Sequence, residues 1–128
     1  MNLKIFETLL FVCLFSFIFH GEAQIKWTDD GDSYFKLEKN QLVSYTLPNQ
    51  EVKIIVSKKQ LTPKGKSEPL AVANYSFSLD QEKIVLYTNT KKVWKDSTKG
   101  DYWIFNFKTN TLTQIGESLP ASSLMFAK

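Results

Sequence analysis

Apolar and polar residues alternate along most of the chain after residue 32, and the alternation predicts strands rather than helices. SYFKL at 33–37, QLVSYTL at 41–47 and EVKIIV at 51–56 form a first set of three strands, with Val52, Ile54 and Val56 placed on one face by the period of two. Glu38-Lys39-Asn40 and Pro48-Asn49-Gln50 supply the turns between them. Residues 57–72 change character. Four Lys with Pro63, Gly65 and Pro69 mark a connection without an apolar period. A second set follows: VANYSF at 72–77, KIVLYT at 83–88, DYWIFNF at 101–107 and TLTQI at 111–115. Its middle two strands are apolar on both faces, with Tyr102 and Ile104 pointing one way and Trp103, Phe105 and Phe107 the other. Such strands need a covering layer on each side, and no stretch shows a helical stripe that could provide one. Sheets must therefore cover sheets, as in a β-propeller.

WTDDGDSY at 27–34 and FSLDQEKI at 77–84 strengthen that expectation. Each places an aromatic, a polar residue and an Asp-centred turn before a strand, at a spacing within propeller blade periods. The predicted class is all-β: an incomplete propeller of about two blades of antiparallel strands. The first blade is expected at 27–60, the second at 70–118, and the start of a next blade at 119–128. A sandwich of seven or eight strands is the competing architecture.

The first 23 residues read as a cleavable signal peptide. Lys4 lies in a short leading region, residues 9–19 (LLFVCLFSFIF) form an apolar run broken only by Ser16, and Gly21-Glu22-Ala23 offers a small-x-small cleavage site. Eleven helical residues would cover roughly 16 Å of a hydrocarbon core about 30 Å thick, which disfavours a membrane span. Acylation at Cys13 is disfavoured by the bulky Val12 before it and the apolar run after it. Cleavage after Ala23 predicts a periplasmic or extracellular protein starting at Gln24. It also removes one Lys and two Glu, so the formal net charge rises from +3 to +4.

Composition narrows the chemistry further. All 16 basic residues are Lys, so the bidentate forks of Arg are missing. The single His and single Cys, His20 and Cys13, both fall in the leader. Residues 24–128 thus lack the atoms for Ser-His-Asp or Cys-His catalysis, disulfides, or zinc sites built on Cys or His. Asp29, Asp30 and Asp32 crowd around Gly31, but without EF-hand spacing they read as a blade-entry turn, and no metal or cofactor is expected. The aromatics lie inside predicted strands, so the Lys-aromatic mixture does not point to a nucleic acid.

Longer strings carry a resemblance. WTDDGDSYFKLEKNQLVSYTLPN at 27–49, LTPKG at 61–65, YSFSLD at 75–80, LYTNTKKVWKDSTKGDYWIFNFKTNTLTQIG at 86–116 and LPASSLMFAK at 119–128 resemble the start of the dipeptidyl peptidase IV N-terminal domain. The resembled form is that of exported bacterial members of the prolyl oligopeptidase family of serine peptidases. The resemblance implies an eight-bladed propeller above an α/β-hydrolase domain that removes Xaa-Pro or Xaa-Ala dipeptides from peptide N-termini. It also implies that the catalytic Ser, Asp and His, and the Glu pair that holds the substrate amino group, lie beyond Lys128. The chain by itself is then expected to be inactive.

One family contact is expected inside the chain. The family resembles this stretch with Trp followed by Arg, where the Arg meets a substrate carbonyl, and the pair here reads Trp94-Lys95. Lys95 is the candidate substrate-binding residue, with a point charge in place of a fork; the other reading makes it one of several solvated loop lysines at 89–100. Expected partners are peptide substrates, the further blades and hydrolase domain, and a second copy in a homodimer of the complete protein. The alternative function is a non-enzymatic exported β-domain that binds a ligand or partner. Sequencing the N-terminus of exported material should return Gln24, and retention of Phe11–Phe19 in that material would overturn the signal-peptide assignment.

Overall fold

A computed structural model describes residues 25–94 and 97–126. The expected signal peptide, residues 1–23, lies outside the described residues. Among those described, every regular element is a strand, and all pairs are antiparallel. The first sheet runs β1 (Ile25–Trp27), β2 (Ser33–Glu38), β3 (Gln41–Thr46), β4 (Glu51–Val56) in spatial and chain order. The second runs β5 (Val72–Phe77), β6 (Lys83–Trp94), β7 (Ser97–Asn106), β8 (Thr111–Ile115), and β9 (Leu124–Phe126) adds to the far end of β7. Two stacked antiparallel meanders of this kind form a partial β-propeller.

The sheets bury one face each against the other. Leu42 and Val56 from the first sheet meet Tyr75, Ile84, Leu86 and Phe105 from the second, and Leu61 from the connection fills the seam. Full burial of such side chains contributes roughly 1.5–3 kcal/mol apiece before entropy is set against it. Tyr75 is the largest of the fully buried group. Its hydroxyl crosses the seam and donates to the Phe35 carbonyl at 3.1 Å, and burial pushes its pKa up to about 12. From β1, Lys26 lies 4.7 Å from the centroid of the Tyr75 ring and donates to the Tyr75 carbonyl. Burial lowers the pKa of that lysine.

The expected alternation in β7 is observed: Phe105 is buried in the seam with Trp103 and Phe107 packed around it. In β4 the expectation fails. A register shift after Leu42 pairs Val56 with Leu42 but Ile54 with Val43, on opposite faces. Val56 is therefore buried whereas Val52 and Ile54 are more than half exposed. The connection at 57–72 also contributes more than a solvated link. Ser57 and Gln60 cap a turn, Leu61 donates to the Ser57 carbonyl at 3.0 Å, and the turn drives Leu61 into the core.

The Asp-centred turns before β2 and β6 are copies of one device. The Thr28 hydroxyl donates to Asp30 Oδ1 at 2.6 Å and accepts from the Ser33 amide at 3.1 Å, while the Asp32 amide donates to Asp30 at 3.0 Å. Ser78, Asp80, Glu82 and Lys83 repeat those three bonds at 2.5, 3.0 and 3.0 Å. The left-handed position is Gly31 (φ 75°) in the first turn and Gln81 (φ 56°) in the second. The hydroxyl of Thr28 or Ser78, then the amide two residues on, holds the Asp30 and Asp80 carboxyls below their ordinary pKa. A depressed carboxyl contributes stability above its unfolded pKa, and that contribution is lost as pH falls through the folded value. Asn keeps an acceptor oxygen at each position but does not titrate. The D30N/D80N double variant should therefore show a flatter loss of thermal midpoint than the parent below about pH 4, measured by circular dichroism melts at stepped pH.

Candidate functional site

The sequence places its one candidate substrate contact between the two strands at the centre of the second sheet. The stretch 89–100, expected as a loop, is largely a continuation of the ladder. Past the core pair Thr88 and Asp101, Lys91 pairs with Lys99, Lys92 with Thr98 and Trp94 with Ser97. Two register shifts, between Thr88 and Lys91 and between Lys92 and Trp94, punctuate the ladder. Such shifts bend and twist a hairpin without ending it. Lys-rich composition suggested a loop, but ladder bonds are made by the backbone, and Thr88, Thr90, Val93 and Thr98 all suit a strand. Lys95 itself lies outside the described residues.

The structure does show how the root of this hairpin is fixed. Asp101, 9% exposed, receives the Asn89 side-chain amide on one carboxylate oxygen at 2.7 Å and the Ser122 backbone amide on the other at 2.6 Å. The Ser122 hydroxyl donates to the Asn89 carbonyl at 2.9 Å, closing a triangle among three chain segments. Asn89 (φ 48°) and Ser122 (φ 58°) both adopt the left-handed conformation that aims these groups. Beside them the Thr88 hydroxyl donates to the Asp101 carbonyl at 2.9 Å. Gly100 fits because a Cβ there would lie 2.8 Å from the Thr88 carbonyl oxygen. On the opposite side of β7, Tyr102 meets Tyr87 edge to face with ring centroids 5.2 Å apart and donates its hydroxyl to the Thr98 carbonyl. β9 then clamps the outer half of the hairpin, pairing Leu124, Met125 and Phe126 with Gly100, Lys99 and Thr98.

Among the described residues, this geometry positions a strand pair. Each oxygen of the Asp101 carboxylate accepts one structural donor, and Lys91 and Lys92 are exposed point charges along the hairpin. A second concave feature lies across the molecule, a groove of about 590 Å³ lined by residues including Lys59, Gln60, Lys64 and Asn110. Gln60, in the connection after β4, donates there to Asn110 in the turn between β7 and β8 at 2.7 Å. Sequence reading missed the Asn89–Asp101–Ser122 triangle because its bonds span 12 to 33 residues. The only local signals were Asn in TNT and Gly-Asp opening DYW.

Residues 78–128 match the family described as the dipeptidyl peptidase IV (DPP IV) N-terminal region. No curated protein matches the chain. Among solved structures, dipeptidyl peptidase 4 of Porphyromonas gingivalis matches with a TM-score of 0.65 at 16% identity, over 94% of this chain and 16% of that one. The chain therefore spans about a sixth of that protein's length and shares its fold over the matched part. The resemblance drawn from the sequence holds, and so does the partial propeller.

Removing either side of the hairpin root should be felt. Asp101→Ala removes the charged acceptor shared by the exposed Asn89 side-chain amide and the half-buried Ser122 backbone amide and is expected to cost about 1–3 kcal/mol. Gly100→Ala should also destabilise, by forcing β6 and β7 apart at Thr88. Denaturant titration reads both. An Asp101→Ala midpoint equal to the parent's would show that the triangle does not hold the hairpin.

Proposed function

We propose that this chain, whose residues 78–128 match the dipeptidyl peptidase IV N-terminal region, forms the opening blades of the propeller of an exported serine exopeptidase. Such an enzyme removes Xaa-Pro or Xaa-Ala dipeptides from peptide N-termini, in the periplasm or outside the cell. The observation that carries the reading is the family match across β6, β7 and the return to β9, the part of the fold built around the braced hairpin. In this reading the two sheets supply propeller wall. The hairpin, gripped at its root by Asp101, carries Lys95 toward the substrate backbone.

A charged donor in that position suits a peptide carbonyl. An ammonium reaching a carbonyl oxygen contributes about 1.5–3 kcal/mol when desolvated, and less in a wet cavity. Lys offers one point donor where a guanidinium would offer two in a plane. Acyl transfer itself needs a nucleophile with a general base, and residues 25–128 contain neither His nor Cys. The chemistry of the complete enzyme is assigned to a separate hydrolase domain.

Two measurements test this. The chain alone should hydrolyse a Gly-Pro chromogenic substrate no faster than buffer, and inhibitor-sensitive turnover by the purified chain would contradict the division of labour. In the complete enzyme, Lys95→Ala should lower kcat/KM about ten-fold, and Lys95→Arg should equal or exceed the parent. Unchanged kinetics in both variants would remove Lys95 from the substrate path.

A further inference from the structure

We infer that the groove between the connection after β4 and the turn after β7 is a binding site for a small oxyanion of the phosphate monoester class. Lys59, Gln60 and Lys64 line one side and Asn110 with Leu112 the other, around about 590 Å³ of space. Clefts of about 300–1,000 Å³ are of a size that holds small molecules. Both walls belong to segments that the seam already holds together: Leu61, next to Gln60, is in the core, and Leu112 packs against that core. The groove therefore lies within the two-sheet unit, and its walls need no further blade.

The chemistry of the ligand follows from which donors and acceptors are already engaged. Gln60 Oε1 accepts from the amide and the hydroxyl of Ser57, both at 2.9 Å, and Gln60 Nε2 donates to Asn110 Oδ1 at 2.7 Å. The two side-chain carbonyl oxygens of the groove are thus taken up within the protein, and no Asp or Glu lines it. The Thr62 hydroxyl donates to the Lys58 carbonyl at 2.8 Å, and the Thr111 hydroxyl is shared with Thr109 at 2.7 Å. The groups left over are donors: Asn110 Nδ2 and the ammonium groups of Lys59 and Lys64. Among the described residues neither lysine has an acidic partner.

These donors are held in place. The Gln60–Asn110 bond joins residues 50 apart in sequence and fixes the plane of the Asn110 amide, and Asn110 sits in a left-handed turn position (φ 54°). Around it, residues 57–68 carry Lys58, Lys59, Lys64 and Lys66 against Glu68 alone, so the local field is positive. A fixed neutral donor between two ammonium charges complements a ligand that offers acceptors and carries two negative charges, and Lys serves phosphate as a point charge. A phosphate monoester near neutral pH presents three acceptor oxygens and a charge of about −1.5 to −2. The phosphate group fills only part of the groove, and the rest takes the group esterified to it, over Leu112. The inference goes beyond the peptidase reading, and neither Lys95 nor a hydrolase domain enters it.

Isothermal titration of the purified chain with glucose 6-phosphate, inorganic phosphate, glucose 6-sulfate and glucose tests it. Glucose 6-phosphate should bind saturably and most tightly, and glucose should not bind. Asn110→Asp keeps the oxygen to which Gln60 donates, so the turn is retained, but puts a carboxylate oxygen in place of the free donor. It should weaken glucose 6-phosphate binding about thirty-fold or more, and Lys59→Gln/Lys64→Gln about ten-fold or more, the losses expected when charge-assisted hydrogen bonds are removed. Lys39→Gln/Lys53→Gln removes the same charge from exposed positions of the first sheet. Its affinity should stay within about two-fold of the parent's, since distant surface charges are screened by salt. A parent that shows no saturable binding of glucose 6-phosphate overturns the inference. So does an Asn110→Asp chain that binds like the parent, or an equal loss in the Lys39/Lys53 variant, which would indicate general charge attraction. Glucose 6-sulfate or inorganic phosphate binding as tightly as glucose 6-phosphate would overturn the assignment to a phosphate monoester.

Discussion

The seam between the two sheets, with Tyr75 at its centre, is the constraint on which the rest of the molecule depends. A meander that is apolar on both faces cannot persist alone in water, because its ladder bonds contribute little net stability and its side chains need a dry partner. The seam supplies that partner once, through Leu42, Val56 and Leu61 against Ile84, Leu86 and Phe105. Tyr75 adds direction to this burial. Its ring carries the apolar contact, while its hydroxyl donates to the Phe35 carbonyl. That bond ties β5 to β2 across the seam. Lys26 secures the other end of the same residue by way of its carbonyl and ring.

The braced hairpin follows from that seam. Phe105 in the core sets the register of β7 against β6, and the register brings Thr88 opposite Asp101. From there the ladder leaves the seam, so apolar packing no longer holds it, and polar bonds take over. Buried carboxylates require donors, and Asp101 obtains them from Asn89 on its partner strand and Ser122 on the returning chain. Placing the fixing charge at the boundary between wet and dry parts lets the outer half of the hairpin carry lysines without loosening the core.

How much of this was legible in the sequence depended on range. Strands of period two, the two-set organisation and the paired turns at Thr28 and Ser78 were readable, since each is set by residues within about six positions of one another. The orientation of Phe105 and Trp103 followed from alternation alone. Val56 was misplaced because a one-residue bulge flips a face and leaves no mark in composition. The burial of Leu61 leaves no trace in the sequence, because a single Leu among Lys, Pro and Gly has no period to reveal it. The site was less legible than the fold. The Asp101 triangle joins residues far apart in sequence, and the resemblance, rather than any spacing of residues, singled out Lys95.

The two sheets share backbone bonds more closely than they share side chains, and the differences have a physical sense. Where the second sheet places Ile84, Phe105 and Leu86 in the seam, the first carries Tyr34, Tyr45 and Lys36 at the matching positions. The substitutions keep ring area and stem length but add hydroxyls and a charge. Tyr45 donates to Glu38 at 2.6 Å, and Glu38 in turn pairs with Lys36, so the polar tips are satisfied among themselves and the ring faces remain available. A wholly apolar version of this face would promote indiscriminate aggregation whenever it met water. A polar version would not stack against another sheet. A face of Tyr, Trp and an internally paired Lys is compatible with both conditions, as a sheet at the start of a propeller must be: its neighbour on one side is built in with the seam, while the cover on the other side has to come from outside the two-sheet unit.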